Sequence, residues 1–431
     1  LLGCGVVGGG LVKLLAKHRP DFRTNGFDLQ LSHVAVRDPD KDRGIDLSNV
    51  EVTTDPMAVA NDPAIDMLVE VMGGNDIAVE AGCAALTRGI PLVSANKSAL
   101  ARSMGRYVEA AKQGGAGICF ESAAAAHIPI IEVLDRSLAC EELTLIKGVI
   151  NGSTNYILTF MERAGCEYEE ALKDAAAKGF TEADPTLDAA EKLTLLAFKA
   201  FGAYVPPAQV HTEGVTRISQ VDIRLALELN HRIKLVAAAR RGEDGISLRV
   251  HPALVHRGEL LADVDSEFNA IILEGPGFKE MTFLGKGAGE LPTASAVLND
   301  IVKMIRQPGT STLPGFKRAS GQAELADTSA LKLCYFLRLQ VDPARANDML
   351  TALGGLGLDV LSHAQVEHDD ANYLGVITDV IEESRMMSAL TELGKMEGVG
   401  QTPVFLRLDK DNYRDIVERE QSTYFGTSLE R

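Results

Sequence analysis

The first third of the chain alternates apolar runs with segments of helical periodicity. Apolar runs at 29–36, 65–71 and 90–94 predict buried strands. Helical patterns cover 77–88 and 101–113, so helices alternate with strands. This alternation is typical of an α/β fold with a parallel, doubly wound sheet.

A glycine-rich turn stands at the start of the chain, where a G-x-G-x-x-G motif precedes a helical segment. In such a turn the glycines let the backbone approach a pyrophosphate, and the unpaired amides of the helix start attract it. We therefore predict a Rossmann-type NAD(P)-binding domain over residues 1–125. Only two apolar residues precede the motif, where a strand usually supplies about five, so we expect further residues upstream. The predicted cofactor contacts of the turn are Gly3, Gly5, Val6, Val7 and Gly8.

The end of the second predicted strand carries residues that distinguish NADP from NAD. Arg37 and Asp38 stand there. An arginine favours the ribose phosphate of NADP, whereas an acid favours the free hydroxyl of NAD. Both cofactors stay open, with Arg37 as a predicted contact. The alternative is an exposed ion pair at the end of a strand.

Two polar loops follow the next strands at the carboxyl edge of the sheet. Gly73 and Gly74 follow one strand, and Asn96 and Lys97 follow the other. Open parallel sheets bind ligands at this edge, so we predict that Gly73 and Lys97 contact the cofactor. A simple turn with a solvated lysine is the alternative.

The middle third contains a carboxylate and an amine on one helical face. Asp188 and Lys192 are four residues apart, a spacing that brings two side chains together on a helix. At a pocket wall, the acid can hold a substrate ammonium group and the lysine can transfer a proton if burial lowers its pKa. An exposed helical ion pair is the alternative. The polar turn at 151–155 is interpreted as a helix cap.

Composition and charge limit the kinds of molecule that we expect the protein to bind. A length of 431 residues predicts two or three domains. The formal net charge of −17 repels nucleic acid and anionic lipid surfaces, and no apolar run approaches the roughly 18 residues of a membrane span. The six cysteines lack zinc-ligand spacing and fit free thiols in a reducing compartment. We expect a cytoplasmic protein that binds neither nucleic acid nor membranes.

The last third predicts a separate α+β domain. A Gly-, Pro- and Thr-containing stretch within 309–330 is typical of a linker. Over 331–410 the pattern predicts strand, helix, strand, strand, helix and strand, which is a ferredoxin-like order. This pattern resembles the ACT domain, an amino-acid-sensing module. Residues 411–431 are interpreted as a C-terminal tail.

A succession of motifs along nearly the whole chain resembles the homoserine dehydrogenase family. The motifs are Gly-Cys-Gly-Val-Val-Gly, Glu-Val-Met-Gly-Gly, Ser-Ala-Asn-Lys, Asn-Gly-Ser-Thr-Asn-Tyr, Leu-Asp-Ala-Ala-Glu-Lys-Leu and Gly-Lys-Gly-Ala-Gly. The resemblance implies interconversion of L-aspartate 4-semialdehyde and L-homoserine with NADP or NAD, in threonine and methionine biosynthesis. It also implies an α+β catalytic and dimerisation domain over 126–308, and a homodimer or homotetramer.

The same resemblance implies roles for individual residues. Lys192 is the implied proton donor and acceptor, Lys97 lies near nicotinamide and substrate, and Asp188 lies beside them. The implied substrate-binding residues are Gly179, Glu182 and Asp188. Gly289 belongs to a glycine loop that approaches the cofactor. A monovalent cation, usually sodium, is implied at the backbone of Glu121, Ala124, Ala126 and Ile128.

Departures from the family pattern leave alternatives open. Family members carry extra residues between the positions of Thr186 and Leu187, so the substrate loop is shorter here. A non-catalytic nucleotide-binding amino-acid sensor is therefore an alternative, as is another ACT-containing dehydrogenase of amino-acid biosynthesis. In the family the ACT domain is associated with inhibition by threonine. The loop at 342–346 lacks the usual glycine, so a role in assembly is the alternative to a threonine effector.

Overall fold

The computed structural model describes residues 1–180, 184–307, 309, 324–396 and 403–409. Glu182, most of the predicted linker and the predicted tail at 411–431 lie outside these residues. The described chain forms an N-terminal unit (1–132), a middle unit (133–307) and a C-terminal unit (332–408), with helices packed on two main sheets.

The N-terminal unit contains a parallel sheet. Its strands are β1 (His33–Ala35), β2 (Glu51–Thr53), β3 (Leu68–Glu70), β4 (Leu92–Ser94) and β5 (Ile118–Cys119), and its helices are α1 (Val6–Thr24), α2 (Pro56–Asn61), α3 (Asp76–Thr87), α4 (Lys97–Gly114), α5 (Glu121–Ala125) and α6 (Ile130–Glu132). Leu2 bridges in parallel to both Ala35 and Glu70 and therefore occupies the centre of the sheet. The order is β2, β1, Leu2, β3, β4, β5, which is the order of a dinucleotide-binding sheet.

This arrangement confirms the predicted Rossmann-like α/β fold, with shorter strands than expected. The apolar runs at 29–36 and 65–71 extend beyond the residues that pair with a neighbouring strand, because their outer apolar residues pack against helices instead. An apolar run indicates which residues are buried. Because residues beyond the hydrogen-bonded part of a strand can also be buried, such a run overestimates the length of the strand.

The middle unit is built on long antiparallel strands. They are β6 (Leu145–Val149), β8 (His231–Gly242), β9 (Gly245–His256), β10 (Phe268–Gly275) and β11 (Lys279–Lys286), with the short β7 (His211–Thr212) beside β9. The helices are α7 (Gly152–Ala164), α8 (Tyr168–Ala177), α9 (Pro185–Phe201), α10 (Gln220–Glu228) and α11 (Glu290–Arg306). Helix α9 is buried from Asp188 to its end, so its charged residues Glu191, Lys192 and Lys199 lie inside the protein together with its apolar residues.

The C-terminal unit has the predicted ferredoxin-like order within the described residues. It contains β12 (Lys332–Leu333), β13 (Tyr335–Gln340), α12 (Ala346–Gly355), β14 (Val360–His368), β15 (Ala371–Thr378), β16 (Ile381–Glu382), α13 (Glu383–Leu393) and β17 (Val404–Leu408). The antiparallel order is β17, β13, β15, β14. The single strand expected at 331–341 divides at Cys334, because β12 pairs with β16 while β13 pairs with β15 and β17.

Strand pairing and helix packing join these units. Strand β17 pairs in parallel with β9, so the middle and C-terminal units share one ten-stranded sheet in the described chain. Helix α11 packs on α1, where a Cβ on Gly10 would lie only 3.1 Å from Ala294 Cβ. None of the helices in the described ranges is long and apolar enough to cross a membrane.

Candidate active site

The glycine turn is closed on one side and open on the other. Gly3 has φ +92°, and a Cβ there would lie 2.8 Å from Val71 O. A Cβ on Gly8 would lie 2.3 Å from Gly3 O, so the turn can form only with glycine at these positions. Gly5 precedes α1 without a side-chain cap, and a Cβ built on it would meet nothing within 4 Å. The turn therefore presents helix amides to open space, and this geometry fits a pyrophosphate.

The loop after β1 is fastened to this turn by an arginine that the sequence analysis overlooked. Arg37 and Asp38 are exposed at the end of the strand. The guanidinium of Arg43 donates to Cys4 O over 3.2 Å and to Asp38 O over 2.6 Å. It thereby holds the exposed Arg37 close to the glycine turn.

A buried network at the carboxyl edge of the sheet places Lys97. Glu70, at the end of β3, accepts hydrogen bonds from Ser94 Oγ over 2.7 Å and from Asn96 Nδ2 over 3.3 Å. The same Asn96 amide donates to Gly74 O over 2.7 Å, and its Oδ1 caps α4. Burial raises the pKa of Glu70 despite these donors. The network ties the 72–74 loop to the first turn of α4, where Lys97 begins the helix.

The structure brings the three predicted catalytic side chains together. Lys97 Nζ lies 2.9 Å from Asp188 Oδ1, and Lys192 Nζ lies 2.8 Å from Asp188 Oδ2. Lys192 also donates to Ile150 O over 3.0 Å. Burial alone would raise the pKa of Asp188, but the two ammonium groups outweigh it and lower the pKa to about 2. One ionised carboxylate therefore holds two ammonium groups that come from α4 and α9.

Asn151 and Glu191 support this cluster. Asn151 caps α7 as expected, since its Oδ1 accepts from Thr154 N over 2.9 Å, and its Nδ2 also donates to Asp188 over 2.9 Å. Glu191 accepts from Arg102 Nε over 3.0 Å and from Ser98 Oγ, which joins α9 to α4. The sequence analysis missed these second contacts because capping and charge patterns describe only the local helix.

The remaining predicted residues lie at the ends of helices and in the buried segment around α5. Gly179, with φ +76°, follows α8, and Gly289, with φ +136°, precedes α11 without a side-chain cap. The four residues predicted to hold the cation are buried, whereas His127 between them is exposed. Ala126 has φ 51°, a backbone conformation that L-residues rarely adopt. In the described ranges no group of three or more His, Cys, Asp or Glu residues could hold a metal ion. A cation at this segment would therefore depend on backbone carbonyls.

A glycine turn in a parallel sheet, with a carboxylate and two lysines near the carboxyl edge of that sheet, is typical of a nicotinamide-dependent oxidoreductase. Comparison with known proteins specifies the family. Residues 3–121 match the family model for the homoserine dehydrogenase NAD-binding domain. Residues 129–302 match the model for homoserine dehydrogenase itself. The chain belongs to the homoserine dehydrogenase family.

Relatives and solved structures agree with this assignment. The homoserine dehydrogenase of Pseudomonas aeruginosa is 32% identical over 96% of this chain and 98% of its own length. The homoserine dehydrogenase of Synechocystis is 34% identical over 95% of this chain and 98% of its own length. A solved homoserine dehydrogenase from Thiobacillus denitrificans has a TM-score of 0.86 and 32% identity, covering 95% of this chain and 97% of that one. A hyperthermophilic archaeal homoserine dehydrogenase mutant, solved in complex with NADPH, has a TM-score of 0.61, 30% identity and coverage of 72% and 97%.

Proposed function

We propose that this chain interconverts L-aspartate 4-semialdehyde and L-homoserine with NADPH or NADH, on the route to threonine and methionine. The observation that carries the proposal is the position of Asp188 between Lys97 and Lys192, next to the carboxyl edge of a dinucleotide-binding sheet. The cluster offers two ammonium groups to one carbonyl oxygen. Reduction of an aldehyde requires such groups, because negative charge develops on that oxygen.

The cofactor is assigned to the open side of the glycine turn. The turn residues at 3–8 hold the pyrophosphate, Arg37 faces the adenosine ribose, and Gly73, Lys97 and Gly289 surround the nicotinamide end. The uncapped start of α1 and the open space at Gly5 support this placement. When bound, the nicotinamide supplies the hydride that the aldehyde carbon receives.

The side chains of the cluster then have separate tasks. Lys192 gives the proton that converts the developing alkoxide into the hydroxyl of homoserine, and it takes this proton back in the reverse reaction. Lys97 stabilises the negative charge on the same oxygen. Asp188 holds both ammonium groups in place. The amino end of the substrate is assigned to Asp188 together with Gly179 and Glu182, of which Glu182 lies outside the described residues.

Initial rates of NADPH and NADH oxidation with L-aspartate 4-semialdehyde test this proposal. We expect turnover on the order of 1–1000 s⁻¹, the ordinary range for enzymes. Nucleotide binding without turnover would contradict the proposal and favour the amino-acid sensor. Turnover with another aldehyde or keto acid alone would favour a different dehydrogenase.

We further propose that the C-terminal unit is an ACT domain that takes threonine as its effector. The described βαββαβ order and its sheet pairing support the proposal. The pairing of β17 with β9 offers a direct route from this unit to the catalytic sheet. Titration of activity with millimolar threonine tests it. Unchanged activity would favour the alternative that the C-terminal unit serves subunit assembly.

The remaining assignments form part of the same proposal. The domains are 1–125, 126–308 and 331–410, with a linker at 309–330 and a tail at 411–431. The enzyme is a cytoplasmic homodimer or homotetramer, which sedimentation can test. Its six free cysteines support a reducing compartment. A sodium ion is assigned to the 121–128 backbone, and replacement of sodium by a bulky organic cation is expected to lower activity.

A further inference from the structure

The carbonyl oxygen of Ile150 receives two side-chain hydrogen bonds. Lys192 Nζ donates to it over 3.0 Å, and Asn269 Nδ2 also donates to it over 3.0 Å. Ile150 directly follows β6 and is buried. Asn269 therefore contributes to the position of the carbonyl against which the ammonium group of Lys192 rests.

The second polar atom of Asn269 is in a different situation. The side chain stands at the start of β10 and is fully buried. Its Oδ1 has no hydrogen-bond partner among the residues that the structure describes. A buried amide oxygen without a donor is unfavourable. The protein is therefore more stable when an N–H or O–H group donates a hydrogen bond to Oδ1 of Asn269.

Gly287 lies against the same side chain. A Cβ built on Gly287 would lie 1.8 Å from Nδ2 and 2.7 Å from Oδ1 of Asn269, so any larger residue here would force the Asn269 amide to move. Gly287 belongs to the 287–289 loop, which joins β11 to α11. The pairing of β10 with β11 places Asn269 opposite Gly285, so the loop that follows β11 lies against the Asn269 side chain.

We propose that Asn269 is a positioning residue that links the 287–289 loop to Lys192. Its Nδ2 holds the Ile150 carbonyl, and its Oδ1 accepts a backbone N–H of the loop when bound cofactor draws the loop inward. The inference rests on the proposed function, because it assigns the loop to the cofactor and Lys192 to proton transfer. It adds that the position of the Lys192 ammonium group depends on whether the loop donates a hydrogen bond to Asn269.

Replacement of Asn269 by leucine tests the link, because the branched arrangement of four side-chain heavy atoms is kept while both polar atoms are lost. We expect kcat to fall about 10- to 100-fold, while KM for the aldehyde stays within about threefold. The solvent deuterium isotope effect on kcat should increase, since proton transfer becomes slower. Gly105→Ala, an exposed position on α4 where a Cβ meets nothing within 4 Å, is the control and should keep the wild-type kinetics.

A double-variant cycle tests the contact even if the leucine variant folds poorly. Gly287→Ala should lower kcat, since its methyl group displaces the amide. The same change in an Asn269→Ala background should cost less than about threefold, because the overlapping atoms are absent. Additive losses would overturn the inference. So would an Asn269→Leu variant with wild-type kcat and isotope effect, even if its melting temperature were lower.

The outcomes separate this inference from the proposed function. Absence of turnover in the wild type, or full turnover of Lys192→Ala, would refute the proposed chemistry. Wild-type turnover that depends on Lys192 and is indifferent to Asn269 and Gly287 would refute the positioning role alone. NADPH fluorescence titration of each variant verifies that the dinucleotide-binding domain remains folded.

Discussion

Glu191 and Arg102 join α9 and α4, the two helices that carry Lys192 and Lys97. Glu191 Oε1 lies 3.0 Å from Arg102 Nε, and its Oε2 accepts from Ser98. Glu191 is 2% exposed, although it is the residue directly before Lys192. Its carboxylate turns toward α4 and thereby fixes the distance between Lys97 and Lys192.

Glu191→Gln should therefore weaken both stability and turnover. Glutamine keeps the side-chain shape but loses the charge that pairs with Arg102. The Arg102 side chain is 46% exposed, so solvent screens the pair and we expect a loss of only about 1 kcal/mol in the free energy of unfolding. We also expect kcat to fall about 10-fold because Lys97 is less firmly placed. Urea unfolding and steady-state rates measure the two effects. Glu169→Gln, exposed on α8, is the matched control; an equal effect there would argue against the helix contact.

Lys192→Ala should lower kcat by about 10²- to 10⁴-fold, the usual contribution of a general acid. Binding of NADPH should remain close to that of the wild type, because the lysine is assigned to the proton and not to the nucleotide. Stopped-flow rates and fluorescence titration make the comparison. Near-normal turnover of this variant would exclude Lys192 from the mechanism.

Arg37→Ala should change the choice of cofactor. Loss of a charged contact to the ribose phosphate should raise KM for NADPH about 10- to 100-fold, as expected for a charge-assisted hydrogen bond of about 1.5–3 kcal/mol. KM for NADH should hardly change. Lys41→Ala is a control for general loss of positive charge in the same loop. Equal effects of Arg37→Ala on both cofactors would place Arg37 away from the phosphate.

The parts of this fold that could be predicted from sequence are those set by local pattern. Apolar periodicity located the strands of the N-terminal sheet, and the i, i+4 spacing placed Asp188 and Lys192 on one face. The contact of Lys97 with Asp188 could not be predicted from spacing, because it joins helices from different units. The same limit applies to the pairing of β17 with β9 and to Asn269, which acquires its role only when β6 and β10 become neighbours.

The β17 junction contains a buried charge cluster with a measurable pH dependence. Glu383 accepts hydrogen bonds from Arg407 Nη2 over 2.6 Å and from Arg249 Nη2 over 2.8 Å. Burial alone would raise the pKa of Glu383, but the two guanidinium groups outweigh it and lower the pKa from 4.5 to about 2. Arg407, 2% exposed, also pairs with Glu213. The cluster connects α13 and β17 of the C-terminal unit to β9.

Glu383→Gln should therefore destabilise the protein at neutral pH and much less in acid. A carboxyl group whose folded pKa is depressed contributes stability above its unfolded pKa, about 4.5, and this contribution is lost as pH falls toward 2. At pH 7 the variant leaves buried guanidinium groups short of a counter-charge, so we expect a loss of about 3 kcal/mol in the free energy of unfolding. Urea unfolding at pH 7 and pH 3 should show the wild type approaching the variant in acid. Glu392→Gln, exposed on α13, should show no such convergence. A constant difference between wild type and Glu383→Gln at both pH values would show that the ionised carboxylate does not hold this junction together.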